Sequence, residues 1–86
     1  MLFRSLNIRE NPLLEDLSGL ENLISIGEEF ILSQNPSLSN ISALSNLMSV
    51  GGDLSVYGNL LLENLQSLES LTSVGGGIGI DRKSVV

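Results

Sequence analysis

The 86-residue chain contains no cysteine, no histidine and no tryptophan, with only one tyrosine and two phenylalanines. The lack of thiols and imidazoles excludes disulfides, thiolate or imidazole metal sites, cysteine nucleophiles and any catalytic pair built on a histidine base. We therefore predict no enzyme activity, no catalytic residue, no metal and no cofactor. The absence of cysteine fits either a cytosolic protein or an exported one without disulfides, so composition leaves the compartment open.

Basic residues are also scarce, since four Lys and Arg stand against ten Asp and Glu for a net charge of −6. Arg4, Arg82 and Lys83 lie near the termini, so Arg9 is the only base between residues 6 and 80. Nucleic-acid binding and attraction to anionic lipid both need clustered Lys and Arg, and this segment has no such cluster. No run of 18 apolar residues is present, so we predict no membrane insertion in this segment.

What the chain does have is a 24-residue unit that recurs without slippage, in repeat 1 (6–29), repeat 2 (30–53) and repeat 3 (54–77), with 78–80 opening a fourth. The unit is L-x-I-x-x-N-[PL]-x-L-x-x-L-x-x-L-x-x-L-x-x-[IV]-G-x-x. A fixed period of this length is typical of solenoids, in which each unit buries its apolar face against its neighbours. We predict a mainly β, right-handed, single-strand solenoid of about three coils, whose first partners are adjacent repeats of the same chain.

The spacing of apolar residues within a unit predicts its local structure. Alternation at the start of each unit predicts short parallel strands at Leu6–Arg9, Phe30–Ser33, Leu54–Tyr57 and Ile78–Ile80. The following leucines are three residues apart, and on an α-helix this spacing would spread them over about 240°. Triplet spacing instead favours 3₁₀-like turns, with single helical turns near 19–22, 43–46 and 66–70 and a second strand near 72–74.

Two polar columns recur in every repeat. Asn11, Asn35 and Asn59 form one of them, and we predict a structural ladder in which each amide bonds backbone groups of adjacent coils. Gly27, Gly51 and Gly75 form the other, and we expect these structural turns to need a φ that side chains resist.

Both termini differ from the repeat. Residues 1–5 (MLFRS) and 81–86 (DRKSVV) resemble translations of the adapters that are ligated to DNA in short-read sequencing. We expect both to be scars, to be left out of fold reasoning. Residues 6–80 are then a fragment of a longer gene, from an environmental or metagenomic read.

The segments LEDLSGLENLISIGEE, LSNISALSNLMSVGGD and LENLQSLESLTSVGGG, each followed by a strand such as FILSQN or LSVYGN, carry a family resemblance. The pattern resembles the receptor L-domain repeat, a leucine-rich-repeat-like β-helix, and in lacking cysteine it is most similar to the versions in bacterial surface proteins. The resemblance implies a location outside the cell or on its surface.

Outward strand positions vary among the repeats while inward positions hold, which makes the strand face the candidate binding surface. The residues concerned are Asn7, Arg9, Ile31, Ser33, Gln34, Ser55 and Tyr57. We expect a non-catalytic module that recognises an unknown protein or glycan. The alternative is a structural spacer with no ligand of its own.

Overall fold

A computed structural model describes residues 2–63 and 65–80. Over these residues the protein has eight strands and two short 3₁₀ helices. Neither helix has the length or the apolar character needed to cross a membrane. The strands form two open, four-stranded sheets in which every pairing is parallel, so the predicted mainly β class with parallel strands is confirmed.

The first sheet is made by the opening strands of the repeats. Its members, in order, are β2 (Leu6–Arg9), β4 (Phe30–Ser33), β6 (Leu54–Tyr57) and β8 (Ile78–Ile80). Leu6 pairs with Phe30, and Phe30 with Leu54, so each step across the sheet is one full repeat. These bounds agree with the strands that the alternation of apolar residues predicts.

The second sheet is made by the closing strands of the repeats. Its members, in order, are β1 (Leu2–Phe3), β3 (Ser25–Ile26), β5 (Ser49–Val50) and β7 (Ser73–Val74). The strand predicted near 72–74 therefore begins one residue later than expected. Because each repeat contributes one strand to each sheet, the chain alternates between the sheets along its length.

The terminal segment 1–5, which the sequence analysis leaves out of the repeat, contains β1, and this strand joins the second sheet. Phe3 pairs with Ile26 and is partly buried against the core, where it continues the apolar column of the second sheet. Paired residues of β1 and β3 are 23 residues apart in the sequence, one fewer than the repeat length. The reason is the connection between the sheets: two residues join Phe3 to Leu6, whereas three join Ile26 to Phe30. Residues 81–86 lie outside the described part of the chain.

The triplet leucines bring the chain from one sheet to the other in 3₁₀-like turns, as their spacing predicts. In repeat 2 the N–H of Leu44 donates to the carbonyl of Ile41 at 2.9 Å, and that of Leu47 to the carbonyl of Leu44 at 3.0 Å. Each bond spans three residues, so one apolar side chain per turn points into the core. All three of these side chains are buried, and they belong to one apolar cluster with residues from both sheets.

Two of the three predicted helical turns are present, as the 3₁₀ helices Ser42–Asn46 and Gln66–Leu68. Near 19–22 no 3₁₀ helix forms, because Gly19 has a φ of +105°, outside the helical range, but a single turn is present, in which the N–H of Leu23 donates to the carbonyl of Leu20 at 3.0 Å. The N–H of Gly19 donates instead to Oε1 of Glu21 at 2.8 Å.

Candidate functional site

The asparagine column lies just after the strands of the first sheet and holds their ends in register. Oδ1 of Asn35 accepts hydrogen bonds from the backbone N–H and Nδ2 of Asn11, at 3.2 and 3.1 Å. Nδ2 of Asn35 donates to Oδ1 of Asn59 at 3.0 Å and to the carbonyl of Ile8 at 3.2 Å. Asn59 repeats the pattern one unit later by donating to the carbonyl of Leu32 at 2.9 Å. Each amide therefore joins neighbouring repeats.

The three residues of the asparagine column differ in their exposure to solvent. Asn35 and Asn59 are fully buried, whereas Asn11, in the first repeat, is exposed. A buried amide costs free energy unless its donors and acceptors are paired, and the ladder supplies those partners. The column therefore has a structural role and is not available to a ligand at Asn35 or Asn59.

The glycine column has a different physical basis from the one expected. Gly27, Gly51 and Gly75 do not have a positive φ, so the expectation of a conformation that side chains resist is wrong. What distinguishes the column is close stacking, because a Cβ at position 51 would overlap the carbonyl oxygen of Gly27, and one at position 75 would overlap that of Gly51. Glycine is required at these two positions because the backbones of adjacent repeats approach too closely for a side chain.

The left-handed backbone conformation occurs in another column, at the ends of the strands of the first sheet. Glu10, Gln34 and Gly58 have φ values of 60°, 55° and 73°. This conformation costs about 1–2 kcal/mol for a residue with a side chain. The only hint in the sequence was Gly58, since glutamate and glutamine rarely adopt such angles.

The outward face of the first sheet has two rows of side chains, which we call the strand face. The first row pairs Asn7 with Ile31 and Ile31 with Ser55, and it continues to Gly79 in β8. Asn7 is exposed, while Ile31 and Ser55 are partly buried. The row offers a polar group, a branched apolar group and a hydroxyl at neighbouring positions.

The second row pairs Arg9 with Ser33 and Ser33 with Tyr57. Arg9 is exposed and Tyr57 is 39% exposed, but only 1% of the Ser33 surface is accessible. The expectation that Ser33 belongs to the binding surface is wrong, because its small side chain lies between two much larger ones. Gln34, next in the chain, is exposed but lies beyond the end of the strand.

The acidic groups that surround these strands are mostly solvated. The pKa of Asp16 is lowered because its carboxylate accepts the backbone N–H of Ser18, at 3.0 Å, and also bonds the Ser18 side chain. The ion pair between Arg4 and Glu28, at 3.6 Å, joins two exposed side chains and contributes little to stability. In residues 2–63 and 65–80 we find no group of three or more acidic side chains arranged to hold a metal ion.

No protein-family model, curated protein or solved structure matches this chain. Its function is therefore inferred from the geometry of the repeats and their exposed faces.

Proposed function

We propose that the chain is a segment of a right-handed β-solenoid of about three coils, similar to receptor L-domain repeats, which binds a protein or glycan without catalysis. In this proposal it belongs to a larger exported or cell-surface protein, and the strand face contacts the partner. The step of one repeat between paired strands, constant through the first sheet and from β3 to β7 in the second, supports the solenoid, because it stacks one repeat directly on the next.

The observation that carries the binding role is the contrast between the two faces of the first sheet. Inward positions remain apolar in every strand, as at Phe30, Leu32, Leu54 and Val56. Outward positions change from repeat to repeat while remaining on a regular, extended surface. Tyr57 and Ile31 supply apolar area there, and tyrosine is frequent among residues that dominate interface energies.

Screening the chain against a random-peptide display library and a glycan array tests this function. The matched variant is Ile31→Ser with Tyr57→Ala, and the control is Met48→Ser, which changes an exposed apolar residue (50% accessible) beside the second sheet. We expect selected ligands to lose at least about tenfold in affinity for the double variant and to keep their affinity for the control. Ligands unaffected by the double variant would overturn the assignment of the strand face.

The second candidate is a structural spacer, in which the repeats determine length and the strand face binds nothing. The burial of Ser33 and the partial burial of Ile31 and Ser55 favour it, since they reduce the surface that a partner can reach. A spacer selects no ligand in either screen. The sequence of the whole gene also separates the two, because an export signal and a surface anchor favour the recognition module.

A further inference from the structure

Beside the strand face, the chain carries a shallow groove of about 500 Å³, which we call the proline groove. It is lined by Glu10, Pro12, Gln34, Pro36, Gly58 and Leu60. One wall is the left-handed column at the strand ends, and the other is the column that follows the asparagine ladder. The groove therefore crosses all three repeats, perpendicular to the strands.

The second wall is apolar and unusually exposed. Leu60 is 60% accessible to solvent, and Pro12 and Pro36, which occupy the same position in the two earlier repeats, are also exposed. Contiguous apolar surface of this kind is a mark of an interaction site, whereas single exposed leucines are ordinary.

The charge at the groove selects the kind of partner. Glu10 is exposed and is the only charged residue among the six that line the groove. Arg9 is the one base on the adjoining strand. A carboxylate opposite an apolar wall complements a segment that combines apolar and basic side chains.

We propose that the proline groove binds a short extended peptide segment that carries leucine or proline together with at least one Lys or Arg, the base facing Glu10. The inference rests on the proposed function and deepens it by naming a cationic, apolar peptide as the partner. A glycan fits less well, because none of the six lining residues has an aromatic ring against which a sugar could stack.

The size of the groove sets the length of the segment. Adjacent strands are about 4.8 Å apart, so three repeats span about 10 Å. An extended peptide advances about 3.3 Å per residue, so three or four residues cover the groove. Such a short contact gives weak binding, which solution NMR measures well.

The test uses the ¹⁵N-labelled chain and three acetylated hexapeptides. The probe contains two Leu, two Pro and two Lys; one control peptide has Glu in place of Lys, and another has Ser in place of both Leu and Pro. We expect the probe to shift the amide signals of Gln34, Gly58 and Leu60, and both control peptides to bind at least about tenfold more weakly. Raising the salt concentration weakens the probe further, because the charges are solvent-exposed.

Three variants separate the contributions of the groove residues. Leu60→Ser and Glu10→Lys each raise the Kd of the probe by about fivefold to tenfold, whereas Met48→Ser leaves it unchanged. All three positions are exposed, and the dispersion of amide signals checks that each variant is folded.

The possible failures are distinguishable from those of the proposed function. Shifts confined to Asn7, Ile31 and Tyr57, and insensitive to Leu60→Ser, would overturn the groove while leaving a binding role for the strand face. Equal binding of the Lys and Glu peptides, or displacement of the probe by a glycan selected in the array, would overturn the peptide assignment alone. Absence of any shift with the probe would overturn the groove as a peptide site, and if both screens were also empty it would overturn the proposed function as well.

Discussion

The carbonyl oxygen of Gly27 occupies the space that a Cβ at position 51 would need. Gly75 has the same relation to Gly51, so the column continues through the repeats. Gly27 itself differs, because the residues below it belong to the shorter terminal connection. A Cβ at position 27 would lie 3.6 Å from the carbonyl oxygens of Phe3 and Arg4, which is an ordinary contact.

The first prediction compares two members of this column. Gly51→Ala should lower the free energy of unfolding by about 1–3 kcal/mol, since the backbone of two repeats must separate to admit the methyl group. Gly27→Ala should change it by no more than about 1 kcal/mol, because the methyl group has room there. Urea denaturation of both variants measures the difference, and equal losses would show that stacking is not the reason for glycine.

The second prediction concerns the asparagine ladder. Asn35→Ala removes an amide that bonds both neighbouring repeats, so Oδ1 of Asn59 and the carbonyl of Ile8 each lose one hydrogen bond. We expect a loss of about 1–3 kcal/mol in the free energy of unfolding. Asn11→Ala is the matched control at an exposed position of the same column, where water replaces the lost bonds and the cost is about 1 kcal/mol or less. A larger loss for Asn11→Ala in chemical denaturation would contradict the role of burial.

The third prediction uses the left-handed column. Gln34→Gly should raise the free energy of unfolding by about 1 kcal/mol, because glycine adopts a φ of 55° without the steric cost that glutamine has. Ser39→Gly, at an exposed position without a positive φ, should lower it by about 0.5–1 kcal/mol. Thermal denaturation of the pair is sufficient, and a loss of stability in both variants would contradict the prediction.

The fourth prediction is a pH dependence at Asp16. Its pKa is lowered by the bond from the Ser18 N–H, so the charged carboxylate stabilises the folded turn above the ordinary pKa of 3.8. That contribution is lost as the pH falls through the lower, folded-state pKa. An NMR titration should show the Asp16 carboxyl and the Ser18 amide moving together below pH 3.8.

Asp16→Asn is the control for this titration. Asn40 already makes the same turn in the next repeat, where its Oδ1 accepts the N–H of Ser42 at 2.9 Å. The variant should therefore keep the Ser18 hydrogen bond while the Ser18 amide stops responding to acid. Titration of Asp16 at or above its ordinary pKa would show that the bond does not favour the charged form.

The sequence was most informative where one physical requirement recurs in every repeat. The four strands of the first sheet follow from apolar alternation, and the turns that end in buried leucines follow from triplet spacing. Both patterns record which side chains are buried and which are exposed, and each pattern recurs in every repeat.

Features that depend on the distance between backbones could not be predicted in the same way. The stacking of Gly27 on Gly51 and a positive φ at glycine look alike in a sequence, since both require the absence of a side chain. The positive φ at positions 10 and 34 could not be predicted, because glutamate and glutamine rarely adopt this conformation. The burial of Ser33 depends on its neighbours across the sheet, one repeat away in each direction.

The asparagine amides also share a direction. Nδ2 of Asn11 donates to Oδ1 of Asn35, and Nδ2 of Asn35 donates to Oδ1 of Asn59, so the amide-to-amide bonds all run toward the later repeat. Their dipoles therefore add head to tail, and each bond polarises the next. The row of amides therefore has a net dipole that points along the direction in which the repeats stack. Asn35 accepts one of these bonds and donates the other, so loss of its amide weakens the link between the first and second repeats and the link between the second and third together.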